Sequence, residues 1–312
     1  MSPTPLVNDT AAAPRAIQKG QQAVDPILGG EPKLNGTHAP ANGKPASITG
    51  NNLFTLDYTG CIVTGGARGL GLCVAQSLLE AGSPYVYCVD ILPEPSVKEW
   101  QEAEETAAQY GGQIAYRKLD ITDQQAVQTV FGQIYDECPI PIAAFFAAAG
   151  IQQMIPSLDY PAADFRRIMD VNVTGTFLTI QAVAKEMVKR GVAGSIAITA
   201  SMSGSIANKG LTCLAYNTSK AALLQMCRSA AAEWGVHGIR VNTLSPGYIR
   251  TAMTDQLLAE RPDLEEEWLR GSMLHRLSTP DEFRGPVIYL LSKASSFQTG
   301  SDVIVDGGHT AY

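Results

Sequence analysis

The chain has 312 residues, of which 45% are hydrophobic and 17% charged, and a net charge of −7. That is enough apolar sequence for one large core or two modest ones, and an acidic chain with no basic block is a poor match for nucleic acid. No apolar run approaches the ~18 residues of a membrane span. The six cysteines form no C-x-x-C pair and the four histidines are dispersed, so we expect a reduced, cytoplasmic protein without a metal site.

Residues 1–52 hold seven Pro, six Gly and no aromatic residue. Such a composition cannot bury a core, so a disordered amino-terminal arm is expected, without the apolar region of a secretory signal. From Leu53 onward strand and helix patterns alternate. The first strand is 60–64, built on Cys61-Ile62-Val63, and a helix is expected over 70–82. Between them lies Thr64-Gly65-Gly66-Ala67-Arg68-Gly69-Leu70-Gly71. A glycine turn at a helix start lets a pyrophosphate approach the backbone and meet free N–H groups. The spacing is not G-x-G-x-x-G, so the general dinucleotide fingerprint is only partly met.

The second strand, 85–90, ends in Asp90, nineteen residues beyond Gly71. A carboxylate at that distance can accept from the ribose hydroxyls of NAD and repels a 2′-phosphate. Arg68 argues the other way, since it could grip such a phosphate. On balance NAD is expected over NADP. A helix over 97–110, a strand over 113–119 and a helix over 123–137 come next, with Thr122 and Gln125 matching a capping box for the last. A strand over 142–147 leads to a long helix over 161–190. The strand 194–199 delivers Ser201 at its end, where a hydroxyl could bind a substrate oxygen.

Fifteen residues beyond Ser201 comes Tyr216, and four further on Lys220, ahead of a helix expected over 217–234. Residues four apart on a helix share a face. A phenol ordinarily ionises near ~10, and a neighbouring ammonium lowers that value toward the working range of an acid–base group. The remaining elements are a strand over 239–244, a helix over 281–291 and a strand over 302–306. Alternating strands and helices imply a single-domain, Rossmann-type α/β fold over residues 53–312: a doubly wound parallel sheet with helices on both faces. Gly65, Asp90, Asp120, Gly150, Ser201 and Pro246 all fall at or just beyond the ends of expected strands, where such folds bind ligands. Residues 252–275 break the rhythm. They contain Met253, Leu257, Leu258, Trp268 and Met273, with six acids against two bases. Trp268 could line a pocket or pin this segment down.

Together these motifs resemble the short-chain dehydrogenase/reductase family over residues 53–312. The resemblance implies that Asn172, Ser201, Tyr216 and Lys220 form the catalytic group, with Asn172 kinking its helix and anchoring a proton-relay water. It implies cofactor contacts from Gly65, Arg68, Gly69, Leu70, Gly71 and Asp90. Further contacts come from Asp120 and Ile121 in the adenine-binding segment, from Tyr216 and Lys220, and from Pro246, Gly247, Ile249 and Thr251 around the nicotinamide. The family's usual Asn-Asn-Ala-Gly is here Ala147-Ala148-Ala149-Gly150. The small pair Ala149 and Gly150 near the cofactor is kept. Two amides that tie neighbouring strands are lost, which predicts a locally weaker sheet. Residues 252–275 correspond to the family's mobile lid.

The segments Ser201-Met202-Ser203-Gly204-Ser205-Ile206-Ala207-Asn208 and Ser245-Pro246-Gly247-Tyr248-Ile249 are similar to those of fungal polyol dehydrogenases of the arabinitol, mannitol and sorbose type. This implies an NAD(H)-dependent oxidoreductase interconverting a sugar alcohol and its ketose. The alternatives are the same chemistry on a bulkier ketone of secondary metabolism, or a non-catalytic cofactor-binding protein. The resemblance also implies a homo-oligomer, a tetramer, paired through the helices over 161–190 and 217–234. The second of these helices carries Ala221, Ala222, Leu223, Leu224, Met226, Cys227 and Ala230 to Ala232, and apolar residues on so many sides agree with a covered outer face.

Overall fold

The computed structural model describes residues 53–251, 254–255, 258–259 and 261–312. The expected arm over 1–52, with Met253 and Leu257 of the expected lid, lies outside them. Seven strands form one parallel sheet in the order β3-β2-β1-β4-β5-β6-β7. They are β1 (Gly60–Thr64), β2 (Tyr85–Asp90), β3 (Gln113–Lys118), β4 (Ile142–Ala147), β5 (Gly194–Thr199), β6 (Ile239–Pro246) and β7 (Asp302–Val305). From β1 the chain winds outward through β2 and β3, then returns to β4 on the other side of β1. A ligand crevice opens at that reversal, beyond the carboxyl ends of β1 and β4.

The helices are α1 (Gly69–Glu80), α2 (Val97–Tyr110), α3 (Gln124–Glu137), α4 (Ala162–Met169), α5 (Thr176–Arg190), α6 (Leu214–Trp234), α7 (Pro262–Gly271) and α8 (Arg284–Leu291). Side chains alternate across a strand, and β4 uses that to feed both faces. Phe145 enters the core beneath α3, α5 and α6, and its neighbour Phe146 enters the core beneath α1, α2 and α8. Phe131 of α3 meets Phe145 edge-on at 5.8 Å, a contact worth about 0.5–1.5 kcal/mol beyond its burial. The register shifts between Gly60 and Cys61 opposite β4, so that Ile142 pairs with Gly60 and Ala144 with Cys61. The skipped Ala143 N–H donates to the Thr59 hydroxyl at 2.8 Å.

Three expectations are corrected. The stretch read as one helix over 161–190 is α4, then a π-helical segment Asp170–Gly175, then α5. α6 begins at Leu214, so Tyr216 and Lys220 both lie within it. Asn, Thr and Tyr in its first turns are weak helix formers, which hid that start. α3 is capped by Asp123, whose carboxylate accepts from the N–H groups of Gln125 and Ala126. Thr122 instead closes a turn on Asp120 Oδ1, through its N–H at 2.9 Å and its hydroxyl at 2.7 Å.

A third, smaller core lies under α7. Leu258, Leu264, Trp268 and Leu277 are buried there, with Leu211, Tyr248 and Leu269 packed around them. Trp268 stacks on Tyr248 with ring centroids 4.0 Å apart and planes 7° from parallel. Trp268 therefore fixes α7 to the segment after β6, and it also lines a pocket with Tyr248, Ser272 and His309, so both of its readings hold.

Candidate active site

The glycine turn is shaped by close packing. A Cβ on Gly71 would lie 2.1 Å from the Gly65 carbonyl oxygen, so only glycine lets α1 start against the turn. Gly69, at φ +58°, has nothing within 4 Å of where its Cβ would be. That leaves an open approach to the first N–H groups of α1, the cradle a pyrophosphate requires. Arg68 is exposed beside it. The Asp90 carboxylate accepts from Ala67 N–H and Leu92 N–H, both at 3.2 Å. Each carboxylate oxygen thus carries one protein bond and keeps a lone pair for a ribose hydroxyl.

Across the crevice, Ala149 and Gly150 lie just beyond β4. The expected weakening from Ala147 and Ala148 is offset by Thr64. Its hydroxyl accepts from Ala148 N–H at 3.1 Å and Ala149 N–H at 3.2 Å, and its carbonyl also accepts from Ala148 N–H. The end of β1 is thereby tied to the end of β4 without side-chain amides. Asp120 is exposed, one oxygen held by the Thr122 turn, and Ile121 beside it is buried against Gly175.

At the far side, Gly247 N–H donates to the Val305 carbonyl. Ile249 sits in a parallel bridge with Ser278, closed by Ser278 N–H to the Tyr248 carbonyl and Arg250 N–H to the Ser278 carbonyl. In that pattern Ile249 directs its own N–H and C=O away from Ser278. The Thr251 hydroxyl pairs with that of Thr254 at 2.9 Å. These surroundings fit a nicotinamide dinucleotide: a phosphate cradle, a ribose acceptor and free backbone groups at the far end.

Between the two ends stand the four residues read as catalytic. Ser201, the residue two beyond β5, is buried, and its oxygen accepts from Ser203 N–H at 3.1 Å. Tyr216 is partly buried on α6, with the Lys220 ammonium 5.6 Å from its ring centroid. Lys220 donates to the Thr199 carbonyl at 2.7 Å. Asn172, in the π-helical segment, is fully buried. Its oxygen accepts from Ile151 N–H at 2.8 Å, and its amide donates to the Ile151 carbonyl at 2.9 Å and to Ser219 Oγ at 3.0 Å. Ser219 in turn donates to the Tyr216 carbonyl at 2.7 Å. Asn172 thus braces the loop after β4 against the turn that carries Tyr216 and Lys220.

One expectation about this group is reversed. Burial raises the Tyr216 phenol, while a hydrogen bond with Ser201 pulls it back and the Cys213 thiol adds to the rise. The same burial lowers the Lys220 ammonium to about 8. In the free enzyme desolvation outweighs the mutual stabilisation inferred from their spacing. Ser219, Ile151 and Thr199 were missed by the sequence reading. Ser219 had a signal, lying between Tyr216 and Lys220 on one helix; the other two act through backbone groups, which carry none.

A glycine cradle, a ribose acceptor and a tyrosine–lysine–serine group shared between α6 and the end of β5 define a dinucleotide-dependent oxidoreductase. The family described as Enoyl-(Acyl carrier protein) reductase matches residues 65–310, and the chain belongs to the short-chain dehydrogenases/reductases, acting on CH–OH groups. A relative from Aspergillus versicolor, "Short chain dehydrogenases/reductase notP'", is 43% identical over 277 residues, covering 88% of this chain and 94% of its own. The D-arabinitol 2-dehydrogenase [ribulose-forming] of Candida tropicalis is 34% identical, covering 83% and 95%. A short-chain type dehydrogenase/reductase from Mycobacterium marinum superimposes with a TM-score of 0.75 at 35% identity, covering 85% and 100%. Other relatives carry names that specify NADH or NADP.

Proposed function

We propose that this enzyme interconverts a sugar alcohol and its ketose with NAD(H). The observation that carries the chemistry is the enclosed group of Ser201, Tyr216 and Lys220, braced by Asn172. The sugar-alcohol class is supported by the arabinitol enzyme among the relatives, and NAD by the free lone pairs of Asp90. When bound, the nicotinamide supplies the hydride acceptor in oxidation and the donor in reduction. Gly65, Gly69, Leu70 and Gly71 would hold its phosphates, Asp90 its adenosine ribose, and Asp120 and Ile121 its adenine. Ala149, Gly150, Pro246, Gly247, Ile249 and Thr251 would hold the nicotinamide end.

In oxidation the Tyr216 oxygen takes the proton of the substrate hydroxyl, and in reduction it returns a proton to the carbonyl oxygen. Ser201 holds the reacting oxygen against it. The Lys220 ammonium favours the phenolate once substrate and cofactor are in place. Asn172 is a positioning residue, acting through Ile151 and Ser219. We place the enzyme in the cytoplasm as a homotetramer. Exposed Phe177 on α5 and Leu214 on α6 support an interface on those helices, although α6 is not apolar all round as expected and exposes Gln225, Arg228, Ser229 and Glu233. Purified enzyme incubated with NAD and a panel of pentitols and hexitols should form NADH, with the matching ketose recovered in equal amount. Turnover confined to bulky ketones, or binding of NADH with no turnover at all, would refute the reading.

A further inference from the structure

A chain of polar side chains beside the catalytic group has a fixed direction. Asn217 comes directly after Tyr216 on α6, and its amide nitrogen donates to the Ile206 carbonyl at 3.2 Å and to Asn208 Oδ1 at 3.0 Å. A backbone carbonyl only accepts, so the Asn217 amide has one orientation. Its own oxygen receives the Cys213 thiol at 3.1 Å, in agreement. Asn208 must then turn its oxygen to Asn217 and its nitrogen outward, where it donates to the Tyr248 phenol at 3.1 Å. At the end of this chain the Tyr248 oxygen is an acceptor, and its proton is directed elsewhere. Among the described residues no group accepts that proton.

The ring is held as firmly as its oxygen. One face lies on Trp268, and its edge meets His309 with centroids 5.4 Å apart. Tyr248 stands two residues beyond β6, beside the strand whose end delivers Ser201. Cys213, whose thiol donates to Asn217 Oδ1 at 3.1 Å, belongs to the same network, which runs from the helical turn of Tyr216 through Asn217 and Asn208 to the Tyr248 phenol. The enzyme thus presents a second, preorganised phenol, linked through two side-chain amides to the turn that carries the first, and its proton has no acceptor among the described residues. A phenol whose oxygen is engaged by Asn208 offers its proton as an oriented donor, and a substrate oxygen at that place can accept it.

We propose that Tyr248 is a specificity-determining residue, whose hydroxyl donates a hydrogen bond to a substrate oxygen remote from the reacting carbon. The proposal rests on the sugar-alcohol reading, because such a substrate carries hydroxyls along its chain and a simple secondary alcohol does not. A site built to pair with a hydroxyl discriminates against the analogue that lacks it.

The test compares kcat/KM for a pentitol or hexitol that the parent oxidises with kcat/KM for 2-pentanol. Tyr248→Phe keeps the ring and its stack on Trp268. It should lower the ratio of the two efficiencies about tenfold or more, with NADH affinity retained. Asn208→Asp supplies a carboxylate that accepts the phenolic proton and turns it inward. It should lower the same ratio although the phenol is still present. An unchanged ratio in either variant, or equal losses on both substrates, overturns the proposal. Failure of the sugar-alcohol reading is visible separately, in a parent enzyme that prefers 2-pentanol to every polyol, and the proposal falls with it.

Discussion

Lys220 should destabilise the fold that carries it. Burial takes its ammonium from 10.5 to about 8, which corresponds to a penalty of about 3 kcal/mol on the charged form at neutral pH. Lys220→Met removes the charge and keeps a flexible apolar stem of similar length. It also removes the hydrogen bond to the Thr199 carbonyl, worth about 1 kcal/mol. The net expectation is a gain of about 2 kcal/mol at pH 7, which for a domain of this size is a rise in Tm of roughly 4–8 °C. The sign with pH is that of a base whose folded value is depressed. Below about pH 8 both states hold the proton and the penalty is complete. Between about 8 and 10.5 only the unfolded chain keeps the proton, and the penalty drains away. Thermal unfolding of parent and variant without cofactor should therefore show the advantage at pH 7 shrinking to near zero by about pH 10. A variant less stable than the parent at pH 7, or an advantage equal at both pH values, would refute the reasoning. A stabilised but inactive protein is the outcome expected where a functional group is held against the preference of the fold.

Tyr216→Phe removes the transferable proton and keeps the ring; turnover should fall at least ~100-fold with NADH binding retained, and activity within a few-fold of the parent would take Tyr216 out of the mechanism. Asp90→Ala should narrow or reverse the NAD/NADP ratio of kcat/KM, and a parent that already prefers NADP would make Arg68 the better guide. Light scattering at micromolar concentration should report a mass above that of one 33.2 kDa chain, and a fully active monomer would overturn the assignment of an interface to α5 and α6.

The strands were legible because each is short, apolar and bounded by turn residues: 60–64, 85–90, 142–147 and 194–199 match the structure residue for residue. The placement of Asp90 at the end of β2, of Ser201 just beyond β5, and of Tyr216 and Lys220 on one helix was legible because it depends on local spacing. The π-helical turn was not, since its apolar pattern reads on either side as ordinary helix. Nor was the Asn208–Asn217–Tyr248 chain, whose members come from three separate segments and whose polarity is set by a backbone carbonyl. The direction of the Tyr216 shift was misjudged for a related reason. Spacing reports who is near, whereas burial depends on everything packed around the pair.

The π-helical segment has a consequence for how this sequence can change. Each residue added to a helix turns the remainder of that helix by about 100°, so the wide turn at Asp170–Gly175 joins two faces that an ordinary helix would set out of phase. Ahead of it Ile168 faces inward; within it Asn172 reaches Ile151 and Ser219; beyond it Thr179, Ile180, Val183 and Met187 face the sheet. Removing a single residue there would wind the stretch into regular helix and force a choice. Either the amide leaves Ile151, or the inward stripe of α5 rotates toward water. Val173 and Thr174, which are not fully buried, can vary in kind. The length of this stretch cannot vary, and a change in its residue count would be felt along the whole of the helix behind it.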